Sequence, residues 1–182
     1  MKNWRFLGID DSFKGDFCIL VGCVTEGNSY VEGFMVEKIS VDGLDSTQAI
    51  IRMVSRSKFR EQIRCIFLNG ITFGGFNVAD IREIYEAVKI PIVVVMRRIP
   101  DFGAIFEALE IFEDSEVRSE IIKRAGDVYK AGEVFIQFHG CGFEDALEFL
   151  KKSKLKGNIP EALRLAHLVA TAVVHGESRG KA

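Results

Sequence analysis

The chain has 182 residues, with 26 acidic and 24 basic side chains for a formal charge of −2, and its 48% hydrophobic and 27% charged positions are an ordinary globular composition. One domain with a real core is expected, since about 150 residues already bury roughly 68–70% of their unfolded surface. The charge balance excludes a histone-like polycation, no apolar run approaches the roughly 20 residues of a membrane helix, and Met1-Lys2-Asn3-Trp4 leads directly into strand-like sequence, so a cytoplasmic protein without signal peptide is expected.

Trp4 to Asp10 reads as a strand that stops on acids. Asp16 to Thr25 follows a Phe13-Lys14-Gly15 turn with the apolar run Phe17-Cys18-Ile19-Leu20-Val21, and Tyr30 to Ile39 follows a Glu26-Gly27-Asn28-Ser29 turn. Such short turns predict an antiparallel meander. Asp45-Ser46-Thr47 then resembles a helix N-cap, with Ala49, Ile50, Met53 and Val54 at helical spacing. Ile63 to Leu68 predicts a fourth strand, Ala79 to Val88 an amphipathic helix, and Ile92 to Met96 a fifth strand, which together imply a right-handed parallel crossover. Helices are expected over Phe102 to Phe112, Ser115 to Arg124, Glu144 to Lys152 and Pro160 to about Val174, with a short strand at Val134 to Phe138. This order predicts a ribonuclease H-like α/β fold built on a five-stranded mixed sheet, three antiparallel strands plus parallel ones, flanked by helices in a single domain. Cys18, Cys23, Cys65 and Cys141 form no CxxC and no zinc spacing, and read as buried thiols.

Six places carry candidate chemistry. In Gly8-Ile9-Asp10-Asp11-Ser12 an apolar strand runs into two adjacent carboxylates, and because strand neighbours point to opposite faces only one of them, Asp10, is assigned inward. It is either a Mg²⁺ ligand or part of an Asp-Asp-Ser turn. Asp45, at the entry to the first helix, either caps that helix or joins Asp10 around a hard cation that aligns water and a phosphodiester. The loop from Leu68 to Asp80 lies in the carboxyl-end crevice of the sheet. There Gly70, Gly74 and Gly75 permit close backbone approach, Thr72 adds a hydroxyl, Phe73 and Phe76 offer stacking faces, and Asn77 is a candidate cap, the alternative being a hydrophobic packing loop. Arg97 and Arg98 end the fifth strand, suited to phosphate or to a salt bridge with Asp101. His167 shares a helical face with Leu163, Ala170 and Val174, as a core-edge histidine or a supporting group, and Glu177 is either a frayed tail or an acid that reaches the centre.

The segments GIDDS, VDGLDST, LNGITFGGFNVADI, PIVVVMRRIPD and IPEALRLAHLVATAVVHGESRG closely resemble the archaeal endonuclease dU family, related to endonuclease V. The resemblance covers essentially the whole chain, strongest over residues 4–101 and 159–180. It implies metal-dependent cleavage of DNA near a deaminated base such as deoxyuridine or deoxyinosine, with Mg²⁺ or Mn²⁺. The strand-end acid of endonuclease V, in a Gly-x-Asp-x-Ser pattern, falls on Asp10, and the lysine after its fifth strand falls on Arg97. Its aspartate in Val-Asp-Gly-His-Gly falls on Asn69, a neutral amide and a weaker metal ligand. The helical glutamate has no clean match, and Asp45 is chosen because it opens the right helix.

The leading reading is a nuclease in which Asp10 and Asp45 bind the metal, Asp11 or Glu177 supports them, Asn69 orients metal or water, and Arg97 holds a phosphate. A second is a nucleic-acid-binding relative whose centre has decayed at Asn69. A third notes the similarity of GIDDS to the first phosphate loop of sugar-kinase-like ATPases, which need two such domains. Oligomeric state is not legible.

Overall fold

The computed structural model describes residues 4–182. Strands β1 (Arg5–Lys14), β2 (Phe17–Glu26) and β3 (Tyr30–Ile39) form the expected meander. Helix α1 (Ser46–Arg56) follows, and a 3₁₀ turn at Arg60–Gln62 leads into β4 (Ile63–Asn69). The next loop contains a small hairpin, β5 (Thr72–Phe73) with β6 (Asn77–Val78), before α2 (Ile81–Val88) and β7 (Ile92–Met96). Then come α3 (Phe102–Leu109), α4 (Ser115–Arg124), β8 (Tyr129–Ala131), β9 (Val134–His139), α5 (Phe143–Ser153) and α6 (Glu161–His175). No helix among the described residues is long and apolar enough to cross a membrane.

The main sheet has seven strands in the order β3-β2-β1-β4-β7-β9-β8, which corrects the five-stranded expectation. Only β1, β4 and β7 run parallel; β9 returns antiparallel to β7, and β8 is its hairpin partner. β8 is three residues of Tyr-Lys-Ala with two of them exposed, too short to show a period of two, and only tertiary pairing defines it.

Alternation along the strands divides the core. Leu7 and Ile9 of β1 face the same side as Leu20, Ile66, Leu68 and Val94, where α1 contributes Ile50 and Met53 and α2 contributes Ile81 and Ile84. Phe6, Phe67, Val93 and Val95 face the other side, covered by Ala146 and Leu150 of α5 and Ala162 and Leu163 of α6. Farther along α6, Ala166 and Ala170 lie over Ile19, Val21 and Cys23 of β2. These small residues let the helix descend on the sheet, and Gly8 completes the approach. A Cβ there would lie 2.2 Å from the backbone nitrogen of Leu163, so only glycine admits α6 at this depth. Burial pushes the Cys18 and Cys23 thiols up to about 12, consistent with inert core cysteines.

Candidate functional site

The ladder between β1 and β4 ends at Ile9–Leu68, whereas β1 stays paired with β2 as far as Lys14–Phe17. The acids therefore do not terminate the strand, as its sequence suggested. They lie within it, at the point where its β4-side edge loses its partner. Asp10 points to the α6 face with Phe6, and Asp11 to the α1 face with Leu7 and Ile9.

Asp10 is 3% exposed and hydrogen-bonded on both oxygens. Its Oδ1 accepts the Asp11 backbone N–H at 2.8 Å, and its Oδ2 accepts the Asn69 amide Nδ2 at 3.0 Å. His167 Nδ1 lies 2.8 Å from the same Oδ2, and His167 Nε2 lies 2.9 Å from the Arg179 carbonyl. Carboxylate and carbonyl oxygens both accept, so the two contacts suit the imidazolium form, which donates from both nitrogens. The bond to Asp10 raises the His167 pKa above the ordinary imidazole value, overcoming the opposite effect of burial. Chain geometry explains the meeting. From the Gly8–Leu163 contact, four helical residues rise about 6 Å to His167 and two strand residues about 6.6 Å to Asp10. Sequence spacing placed His167 on the inward face with Leu163 but did not identify Asp10 as its partner.

On the opposite face, Asp11 Oδ2 accepts the Gly74 N–H at 2.8 Å. Burial pushes the Asp11 carboxyl up to about 6, partly offset by that N–H. Gly74 is needed on two counts, a φ of +51° and a Cβ position 2.8 Å from Cys18 Sγ. Asp45 does not extend the Asp10 cluster. Its oxygens accept from the Ser40 N–H and hydroxyl and from Asn77 Nδ2 at 2.6 Å, which closes the loop ahead of α1. Although burial opposes it, these hydrogen bonds hold the Asp45 carboxyl below its usual range. Among the described residues no three His, Cys, Asp or Glu side chains form a group that could hold a metal ion.

The other predicted contacts divide. Phe73 is fully buried in the core, which corrects its assignment as a stacking surface, and the half-buried Phe76 packs edge-on against Phe112. Asn77 is likewise buried, bonded to the Ser46 N–H and the Ser40 carbonyl; α2 is capped by Asp80, which accepts from the Arg82 and Glu83 amides. Gly70, at φ +73°, donates to the Val95 carbonyl and lines a cleft of about 170 Å³ together with Thr72. Arg97 and Arg98 are exposed at the end of β7, and Arg97 Nε donates to the Ala182 carbonyl. Glu177 is exposed, in a segment that folds back along α6 through Ser178 to the Leu168 carbonyl and through the Arg179 N–H to Thr171. A larger cavity of about 380 Å³, between β3 and the end of α1, contains none of the groups that meet at Asp10. At the opposite end of β1, Lys152 lies over the Trp4 ring and the Lys154 carbonyl accepts from Asn28.

One structural residue carried no sequence signal. Arg118 of α4 is 4% exposed, and its guanidinium donates to the carbonyls of Asp42, Gly43 and Phe76 while pairing with Asp114. It ties the loop ahead of α1 to the loop after β4, and so supports the turn that presents Gly74 to Asp11.

Comparison with known proteins agrees with this architecture. A UPF0215 protein of Archaeoglobus fulgidus is 54% identical over 182 residues, covering all of both chains, and one from Methanosarcina barkeri is 46% identical over 183 residues, covering 98% of this chain and 94% of its own. The crystal structure of a protein of unknown function from A. fulgidus superposes with a TM-score of 0.92 at 51% identity, over 95% of this chain and 99% of that one. Human ENDOV shares the fold at a TM-score of 0.63 and 12% identity, over 96% of this chain and 85% of that one. Ciona intestinalis endonuclease V, solved with a 23mer DNA containing an inosine, does so at 0.59 and 14%, over 94% and 86%. The family model described as Endonuclease dU matches residues 2–174, and the chain belongs to that family.

Proposed function

We propose that this protein is a metal-dependent endonuclease that hydrolyses a DNA phosphodiester near a deaminated base, with its centre at Asp10 on a sheet of ribonuclease H-like order. The observation that carries the reading is the convergence of Asp10, Asn69 and His167 where β1 parts from β4, in a chain of the Endonuclease dU family. A divalent cation suits the donors in a limited way. An ionised carboxylate offers about four lone-pair sites, and three donors already engage Asp10, which leaves about one. Asp10, with the Asn69 amide oxygen beside it, would hold Mg²⁺ or Mn²⁺ through hard oxygens and leave its other positions to water and phosphate, the usual mode for Mg²⁺. Such an ion, when bound, supplies Lewis-acid polarisation of the phosphoryl oxygen and a more acidic water. The chain's own part is to fix the Asp10 carboxylate through Asn69 and the Asp11 amide, and to hold the His167 imidazole 2.8 Å from Asp10. The exposed guanidinium groups of Arg97 and Arg98 add phosphate affinity at the same edge of the sheet.

Asn69 itself favours a second reading, a nucleic-acid-binding relative with an impaired centre, because a neutral amide stands where a second charge would strengthen cation binding. One experiment separates them. Nicking of duplexes containing deoxyuridine or deoxyinosine is measured with Mn²⁺ for wild type, Asp10→Asn and Asn69→Asp. The nuclease reading expects wild-type nicking that Asp10→Asn abolishes. Nicking by Asn69→Asp alone supports the impaired relative, and nicking by Asp10→Asn at the wild-type rate refutes the assignment of the centre.

A further inference from the structure

The cleft beside Gly70 has a floor with directional chemistry. Its walls are Met96 and Pro100 from the end of β7 and beyond, Phe102 and Ile105 from α3, and Ile122 from α4, all apolar. At about 170 Å³ it falls below the roughly 300 Å³ at which sites for drug-sized ligands begin, so it suits one small planar group. The position is also informative. Gly70 follows Asn69, the residue bonded to Asp10, and Met96 precedes Arg97, so a group seated here is continuous with a backbone held at the centre.

The polar side chain in this lining that is fully buried is Gln137 of β9, 1% exposed. It pairs with Val94 in the ladder and shares the face of α3 and α4. Its Nε2 donates to the Gly126 carbonyl at 2.9 Å, which prevents the amide from rotating and fixes Oε1 as an acceptor. A fixed buried acceptor selects a ligand that donates.

We infer that Gln137 is a specificity-determining residue that reads the ring N–H created by deamination of a nucleobase seated in this cleft. Deamination changes the pairing edge in one consistent way. N3 of cytosine and N1 of adenine are acceptors, whereas N3 of uracil and N1 of hypoxanthine carry a proton. The same Oε1 therefore bonds to both deaminated bases and faces an opposing lone pair in both parent bases. Hydrogen bonding to the pairing edge between apolar walls is a means by which an unstacked base is read. Leaving a buried acceptor unsatisfied corresponds to roughly 5- to 150-fold in affinity.

This inference rests on the proposed action near a deaminated base, but its test does not use cleavage. The full chain is titrated, in EDTA, with fluorescently labelled single-stranded oligonucleotides identical except at one central position, dU against dC and dI against dA. Wild type is expected to prefer dU and dI by that factor. Gln137→Leu should bind all four with one affinity. Ile105→Trp, which fills the cleft and leaves Gln137 and its Gly126 bond in place, should do the same, and it keeps the test decisive if the buried Gln137→Leu change prevents folding. Equal affinities within each pair for wild type, no binding of any oligonucleotide, or discrimination retained by either folded variant would overturn the assignment. Discrimination without nicking would leave it standing and sink only the nuclease reading.

Discussion

Replacing Gly8 with alanine tests whether the α6 approach assembles the site. The added Cβ would lie 2.2 Å from Leu163 N and 2.3 Å from the Ala162 carbonyl carbon, against 3.4 Å or more for ordinary contact. These atoms are backbone, so no rotamer relieves the clash, and α6 must retreat by about 1.2 Å, from 2.2 to 3.4 Å. A shift of that size in the same direction takes the 2.8 Å contact between His167 and Asp10 to about 4 Å, outside hydrogen-bonding range. Overpacking costs about 1–3 kcal/mol, at the upper end for backbone atoms. Reduced freedom of the unfolded chain returns about 0.4–1 kcal/mol. The expected net loss is about 2 kcal/mol, read as a lower urea midpoint at unchanged slope. In the same protein, NMR titration of the His167 ring should show its pKa falling towards the ordinary value of 6.5. A stability change below about 0.5 kcal/mol with an unchanged His167 titration would refute the claim that Gly8 sets this distance.

Further predictions concern charge and support. The His167 pKa is raised in the folded protein, so its stabilisation is complete below the unfolded value near 6.5 and is lost as pH rises through the folded value. Urea midpoints of wild type and His167→Gln should differ most in acid and converge on the alkaline side, and a constant difference would argue against the ion pair. Asp11 has the same sign at lower pH: because burial lifts its carboxyl from 3.8 to about 6, stability should fall as pH rises across that interval. Asp11→Asn keeps an acceptor for the Gly74 N–H and should flatten the profile, with higher stability than wild type at pH 7. Arg118→Met leaves three carbonyls without their donor and should lower stability by about 3–5 kcal/mol in thermal or urea unfolding. A loss under 1 kcal/mol would show that water replaces the guanidinium.

Much of the frame is legible in local pattern. The meander, the crossover from β4 through α2 to β7, and α6 follow from apolar periodicity and turn residues, each expressed within ten or fifteen positions. That Asp10 and Asp11 point to opposite faces also follows, because alternation along a strand is a local rule, but that both faces are covered does not. β8 does not follow, since two of its three residues are exposed and its partner defines it. The reading of Phe73 as a stacking face shows the corresponding limit. A phenylalanine in a glycine-rich loop looks available, yet the β5–β6 hairpin turns its ring fully into the core.

By itself the sequence determined the family and the α/β class, and it marked Asp10 and Asn69 as candidate site residues. Only the tertiary structure decided which groups meet. Asp45 follows Asp10 by a shorter interval than His167 does, yet its oxygens are taken by Ser40 and Asn77, while His167 crosses 157 positions to reach Asp10. The reason is geometric. Strand alternation and helical periodicity determine where each side chain points on its own element. The depth at which α6 settles on β1, set by the missing side chain of Gly8 and the small residues of the helix, determines which pairs come within bonding distance.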